Sequence, residues 1–235
     1  MSEFGFDFKR LNIDFSNEIN YDMLSGSESN EKVREKTPDK YKKQAKLFLT
    51  ENKVFNTENI KKRTYRYIYD KNLIPVPGKG EQVRIRTQQQ MNLITIILKV
   101  IDIYSEIEEL TISTYTINRE AMSILTQLKD SGKIKRINLL ISSSYGFRDP
   151  KWYEEIKALC IGHGMHLVFA WAHFKITLIR AKDNYFQIEG SMNYSTNNMA
   201  EQILLENNQE TYEKDYKFIT KIMGDRNSKA LEVIC

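Results

Sequence analysis

The chain has 235 residues, 41% hydrophobic and 28% charged, with a net charge of +4. That length suffices for one sizeable core and an accessory segment, and no apolar run approaches the roughly 20 residues that cross a bilayer, so stable membrane association is not expected. The start, Met1-Ser2-Glu3-Phe4, has no basic region ahead of an apolar one, and Cys160 and Cys235 lack metal-ligand spacing, so a reduced cytoplasmic protein without a metal or other cofactor is expected.

The charge is unevenly spread. Residues 1–30 hold 2 basic and 6 acidic groups, residues 31–80 hold 14 and 6, and residues 81–235 balance at 19 and 19. A positive excess gathered in one segment suits a polyanionic partner, although on charge alone a solvated helical face is the first reading. In chain order, residues 1–37 form a polar arm whose stretch Ser25-Gly26-Ser27-Glu28-Ser29-Asn30 has linker composition. Residues 38–80 read as a basic helical segment. One helix runs over 40–51 with Leu47, Phe48 and Leu49 as its apolar face, and a second, over 57–71, is capped by Thr57. Together with the Pro/Gly-bounded stretch 75–86 they have a winged-helix outline that lacks a clear middle helix; helices docked on the following domain are the alternative.

From residue 81 the rhythm changes. Val83-Arg84-Ile85-Arg86 alternates, Gln88 to Tyr104 has helical spacing, and Glu109 to Tyr115 is rich in strand formers. Asn118 to Ser131 is a helix closed by Gly132, Ile137 to Ile141 is a buried strand, Pro150 to Cys160 is helical, and His166 to Trp171 is a strand. Strands alternating with helices over 81–235 predict an α/β domain with a mainly parallel or mixed sheet flanked by helices. No internal repeat is present.

The chemically informative stretch is His173-Phe174-Lys175, then Ile176 to Arg180, a polar turn over Ala181-Lys182-Asp183-Asn184, Tyr185 to Glu189, and Gly190-Ser191-Met192-Asn193. On a strand, residues i and i+2 share a face, so His173 and Lys175 project together while Phe174 packs behind. The returning strand brings Gly190-Ser191-Met192-Asn193 beside them. An imidazole, an ammonium, a hydroxyl and an amide then converge, which for a phosphate supplies a nucleophile, a charge neutraliser and two hydrogen-bonding groups.

This pattern resembles the phospholipase D superfamily, whose motif runs His-x-Lys, Asp, Gly-Ser-x-Asn. The match is His173-x-Lys175, Asp183, and Gly190-Ser191-x-Asn193, with Glu201 before Ile203-Leu204-Leu205 as the family's downstream acidic residue. The family has four residues between Lys and Asp. Here there are seven, and Arg180 stands at the usual Asp position; a longer hairpin turn is expected, and the role of Asp183 is the one in doubt. The resemblance implies that His173 attacks phosphorus to give a phosphohistidine, a second histidine protonates the leaving oxygen, and no metal takes part. It also implies that Lys175 and Asn193 stabilise the phosphoryl oxygens, Ser191 supports the hydrogen-bond network and Glu201 holds the imidazole of His173. His163 and His166 read as loop residues and Cys160 as core. Since the chain carries one His-x-Lys, the resemblance implies a site completed across a homodimer.

Compact single-motif members resemble the bacterial endonuclease branch, so a nuclease acting on nucleic acid, DNA ahead of RNA, is the first expectation. Lys61, Lys62, Arg63 and Arg66, interleaved with Tyr65 and Tyr67, are the candidate substrate-binding groups, because such residues contact phosphates and stack on bases. A lipid-headgroup phosphodiesterase and a non-catalytic nucleic-acid-binding module of the same fold are the alternatives.

Overall fold

Asn118 and Asp149 show how locally the helices are set. The Asn118 side chain accepts from Ala121 N at 2.8 Å and that of Asp149 from Trp152 N at 3.0 Å. Each satisfies one of the otherwise orphaned amides of a first helical turn, and Pro150 fits behind Asp149 because its missing N–H costs nothing there. The computed structural model describes residues 62–67, 74–87, 92–195, 200–224 and 232–234.

In chain order the elements begin with strands β1 (Lys62–Tyr67) and β2 (Glu81–Thr87) and helix α1 (Ile94–Tyr104). Strand β3 (Glu109–Thr114), helix α2 (Arg119–Asp130) and strand β4 (Ile137–Ser142) follow. A 3₁₀ turn (Ser143–Phe147) leads to α3 (Pro150–Gly162) and β5 (His166–Ala170). Strands β6 (Ile176–Ala181), β7 (Asn184–Gly190) and β8 (Glu201–Asn207), helix α4 (Gln209–Gly224) and β9 (Glu232–Ile234) complete the described chain.

All the strands join one mixed sheet in the order β1-β2-β8-β7-β6-β3-β4-β5-β9. β3, β4 and β5 run parallel, joined by the helical crossovers α2 and α3, while β6, β7 and β8 return antiparallel because short connections can only reverse the chain. Alternation along the strands divides the core. Ile112, Leu139, Ile141, Phe169, Phe186 and Leu205 face α1, α2 and α3, and all are fully buried. Leu140, Val168, Ile176 and Leu178 face Tyr212, Ile219 and Ile222 of α4. Each such side chain contributes roughly 1.5–3 kcal/mol of burial, so both faces are firmly closed around β3 to β6.

Two expectations are corrected. Where a second helix was expected over 57–71, Lys62–Tyr67 is a strand paired parallel to β2. Thr64, Tyr65 and Tyr67 favour strand over helix, β2 offers an edge, and 68–80 is long enough for the crossover that parallel pairing requires. The winged-helix outline thereby loses a helix; its other helix, over 40–51, lies outside the described residues, as does the arm 1–37. Second, the hairpin between β6 and β7 is not wide. Ala181 pairs with Asn184, leaving only Lys182 and Asp183 in the turn, with Lys182 in the left-handed region at φ 53°. The extra residues between Lys175 and Asp183 lie in regular strand pairing.

Candidate active site at one edge of the sheet

The register brings a set of chain ends to one edge. β3, β4 and β5 finish there at Thr114, Ser142 and Ala170, and β7 finishes there at Gly190. β6 and β8, running the other way, begin there at Ile176 and Glu201. The carboxyl ends of parallel strands are where open α/β sheets leave a crevice.

His173 and Lys175 precede β6 rather than lying on it, so strand alternation does not aim them. Their backbone is tied down instead. Ser113 Oγ donates to Phe174 O at 3.4 Å, and Lys175 Nζ turns back to His173 O at 3.3 Å. His173 is exposed at the edge and its ring meets that of Tyr115, centroids 4.8 Å apart and tilted 55°.

The Gly190 to Asn193 stretch is anchored by the residues between its polar ones. Met192 and Tyr194 are buried, and Tyr194 Oη shares a 2.6 Å hydrogen bond with Thr177 Oγ1 of β6. Burial pushes the Tyr194 phenol far up, so it stays a neutral hydrogen-bonding plug. With those two held, Ser191 reaches the Glu201 carboxylate and Asn193 reaches Thr114, whose Oγ1 lies 3.3 Å from Asn193 Oδ1. Gly190 is required by closeness: a Cβ there would sit inside the Gln202 carbonyl oxygen and 3.1 Å from Ile203 Cα. Only glycine lets β7 and β8 approach tightly enough to bring Ser191 against Glu201.

The electrostatics suit an anion. Partial burial, Lys175 and Arg148 together hold the His173 imidazole below its ordinary value, so it is neutral, with a free lone pair, near pH 7. Burial lowers the Lys175 ammonium, while the negative charge of Glu201 opposes the shift. Among the described residues no group of three or more His, Cys, Asp or Glu side chains is placed to share a metal ion.

The expected site residues therefore divide. His173, Lys175, Ser191, Asn193 and Glu201 gather at this edge. Asp183 does not: it sits at the hairpin tip, 92% exposed, 3.8 Å from Lys79, a six-residue strand or roughly 20 Å away. Arg180, at the family's usual Asp position, pairs with Glu108 and Glu109 at 3.1 and 3.5 Å. Lys62, Arg63 and Arg66 lie on β1, separated from β6 by β2, β8 and β7, about 19 Å at ordinary strand spacing; Lys61 is outside the described residues.

His163 ends α3 with Nδ1 2.8 Å from Asp130 Oδ1, and His166 opens β5 as its first residue rather than lying in the loop, both at the opposite edge. Cys160 is buried, its thiol pushed up to about 12 by burial, so it is a core residue. Two neighbours of His173 escape sequence reasoning: Tyr115, just past β3, and Arg148, just past the 3₁₀ turn after β4. Their signal is positional, since each follows the carboxyl end of a parallel strand.

No family model matches the chain, and no curated protein matches it. Among solved structures it is similar to the polyphosphate kinase of Porphyromonas gingivalis, at 15% identity and TM-score 0.45, over 62% of this chain and 26% of that one. It is also similar to the phosphatidylserine synthase of Haemophilus influenzae Rd KW20, at 14% identity and TM-score 0.44, over 65% of this chain and 39% of that one. The chain thus spans well under half the length of either. Among the described residues no helix is long and apolar enough to cross a membrane.

Proposed function

We propose that the chain is a phospholipase D-like phosphodiesterase, a nuclease, that works through a phosphohistidine at His173 without a metal. The observation that carries this reading is the convergence of His173, Lys175, Ser191, Asn193 and Glu201 from three separate strand ends on one exposed edge. His173 Nε2 attacks phosphorus and the bond to the leaving oxygen breaks, the oxygen taking a proton from the His173 of a second copy, the imidazole of the pair that the bound anionic substrate keeps protonated. Water then adds to phosphorus as its proton passes to that second imidazole; the P–N bond breaks, releasing the phosphorylated product and free His173. Lys175 and Asn193 stabilise the charge on the non-bridging oxygens. Ser191 fixes the Glu201 carboxylate, whose charge acts on Lys175. A second copy is invoked because the two other histidines stand at the far edge. Nucleic acid, DNA ahead of RNA, is the substrate favoured by the basic composition of β1 and the segment before it.

The test is cleavage of plasmid, single-stranded DNA, RNA and phosphatidylcholine in EDTA, by the wild type and by His173→Ala. Nucleic-acid cleavage that persists in chelator and disappears in the variant is expected. Cleavage abolished by EDTA and restored by magnesium rejects the mechanism. Cleavage of phosphatidylcholine alone moves the substrate to lipid. One observation favours a second reading, a non-catalytic nucleic-acid-binding module: Arg180 at the family's Asp position is committed to Glu108 and Glu109. A gel shift by a wild-type protein that cleaves nothing selects it.

A further inference from the structure

We propose that Arg148 is a phosphate-binding residue of this site and that Tyr115 is the ring that positions it beside His173. The inference rests on the reading above only in taking the edge around His173 as the place where a phosphate binds.

Three observations lead to it. The Arg148 guanidinium carbon lies 5.3 Å from the centroid of the Tyr115 ring, and the same ring meets His173 at 4.8 Å. One aromatic surface therefore keeps a cation within about 10 Å of the imidazole. Next, three arginines are each paired with a carboxylate: Arg119 with Glu155 at 3.2 Å, Arg136 with Glu109 at 3.4 Å, and Arg180 with Glu108 and Glu109. Among the described residues Arg148 has an aromatic face beside it instead of a carboxylate. A guanidinium kept on a ring retains its five N–H donors, and its planar fork matches two phosphate oxygens at once. Finally, Lys175 and Arg148 both act on His173, each disfavouring a further positive charge there. Without an anion the two cations lie beside an imidazole whose protonation they oppose. A phosphate among them offsets that positive charge, so the site is electrostatically suited to it.

The probe is inorganic phosphate, and the readout is the ring signals of the chain's three histidines by NMR, with His173 identified by the loss of its signals in His173→Ala. Phosphate should raise the midpoint of His173 titration in the wild type. Arg148→Gln should raise that midpoint without phosphate, by removing one cation, and should weaken phosphate binding about tenfold, the worth of one charge-assisted hydrogen bond. Arg148→Lys keeps the charge and loses the fork, so it should leave the free midpoint near wild type yet bind phosphate more weakly. Tyr115→Leu should weaken phosphate binding by releasing Arg148, and Tyr115→Phe, which keeps the ring, should not. Wild-type phosphate affinity in Arg148→Gln overturns the proposal, whatever the midpoint does. None of these readouts needs turnover. A His173→Ala chain that still cleaves phosphodiesters defeats the phosphohistidine reading while leaving the Arg148 result standing, and a phosphate affinity indifferent to Arg148 does the reverse.

Discussion

In the proposed reaction His173 attacks as the neutral imidazole, and its surroundings decide at what pH that form is lost. Partial burial and the cations Lys175 and Arg148 all disfavour the imidazolium, so the folded midpoint lies below 6.5. The sign is that of a depressed midpoint: protonation, and with it loss of the attacking lone pair, sets in only as pH falls below the ordinary histidine value. The acid limb of kcat/KM should lie below pH 6.5, and Lys175→Gln should move that limb upward while lowering the rate. An acid limb at or above 6.5 in the wild type contradicts the electrostatic arrangement. The residues with chemistry in them were legible because His-x-Lys and Gly-Ser-x-Asn each lie within four consecutive positions. Tyr115 and Arg148 were not. They meet His173 only when β3, β4 and β5 align, and an isolated Tyr or Arg carries no mark of that alignment.

At the level of elements, the site depends on how closely β7 and β8 approach. Gly190→Ala puts a methyl group into the Gln202 carbonyl, and the neighbour is backbone, so the strands themselves must separate. A loss of about 1–3 kcal/mol in urea unfolding is expected, with activity falling further because Ser191 and Glu201 part company. Stability lost with wild-type kcat retained would show that this contact does not position the site.

The pairing of β7 with α4 carries a different signal. Burial, then the charges of Glu189 and Glu206, push the Asp215 carboxyl up to about 6, although Gln187 donates to it. A proton held more tightly when folded stabilises fully below the ordinary value of 3.8, and that contribution disappears as pH rises through about 6. Asp215→Asn should flatten the pH dependence of thermal unfolding in that window and add on the order of 1–2 kcal/mol above it. A wild-type profile already flat there would refute this account. Helices α2 and α3 were readable because each carries its own cap and period. β1 was not, since six residues of Lys, Arg, Thr and Tyr satisfy a helical and a strand rhythm alike until β2 offers an edge. α4 went unread because its apolar stripe shows only against β5 to β7.

For the molecule as a whole, one edge of the sheet holds the candidate site and the other holds supports: the buried Glu109 with Arg136, Asn138 and Tyr216, the histidines 163 and 166, and the β6–β7 turn. With one nucleophile per chain, the proposed reaction needs a twofold mate. Adding an equal amount of His173→Ala to exchanging wild type should halve the activity, since about a quarter of dimers keep both imidazoles while the number of dimers doubles. Undiminished activity after full exchange, or turnover by a monomer, would contradict that assembly.

The division between edges also fixes where the chain tolerates being interrupted. Lys182 and Asp183 form a two-residue tip, with the Asp183 side chain 92% exposed and bonded only weakly through Lys79. No strand beyond the hairpin is displaced by lengthening a loop there, and longer loops cost little entropy. A fluorescent reporter spliced between Lys182 and Asp183 should fold with the chain and leave catalysis intact. The same graft between Ser191 and Met192 should abolish it. The hairpin is thus a natural handle, remote from the candidate site, by which the protein can be labelled or tethered to a surface.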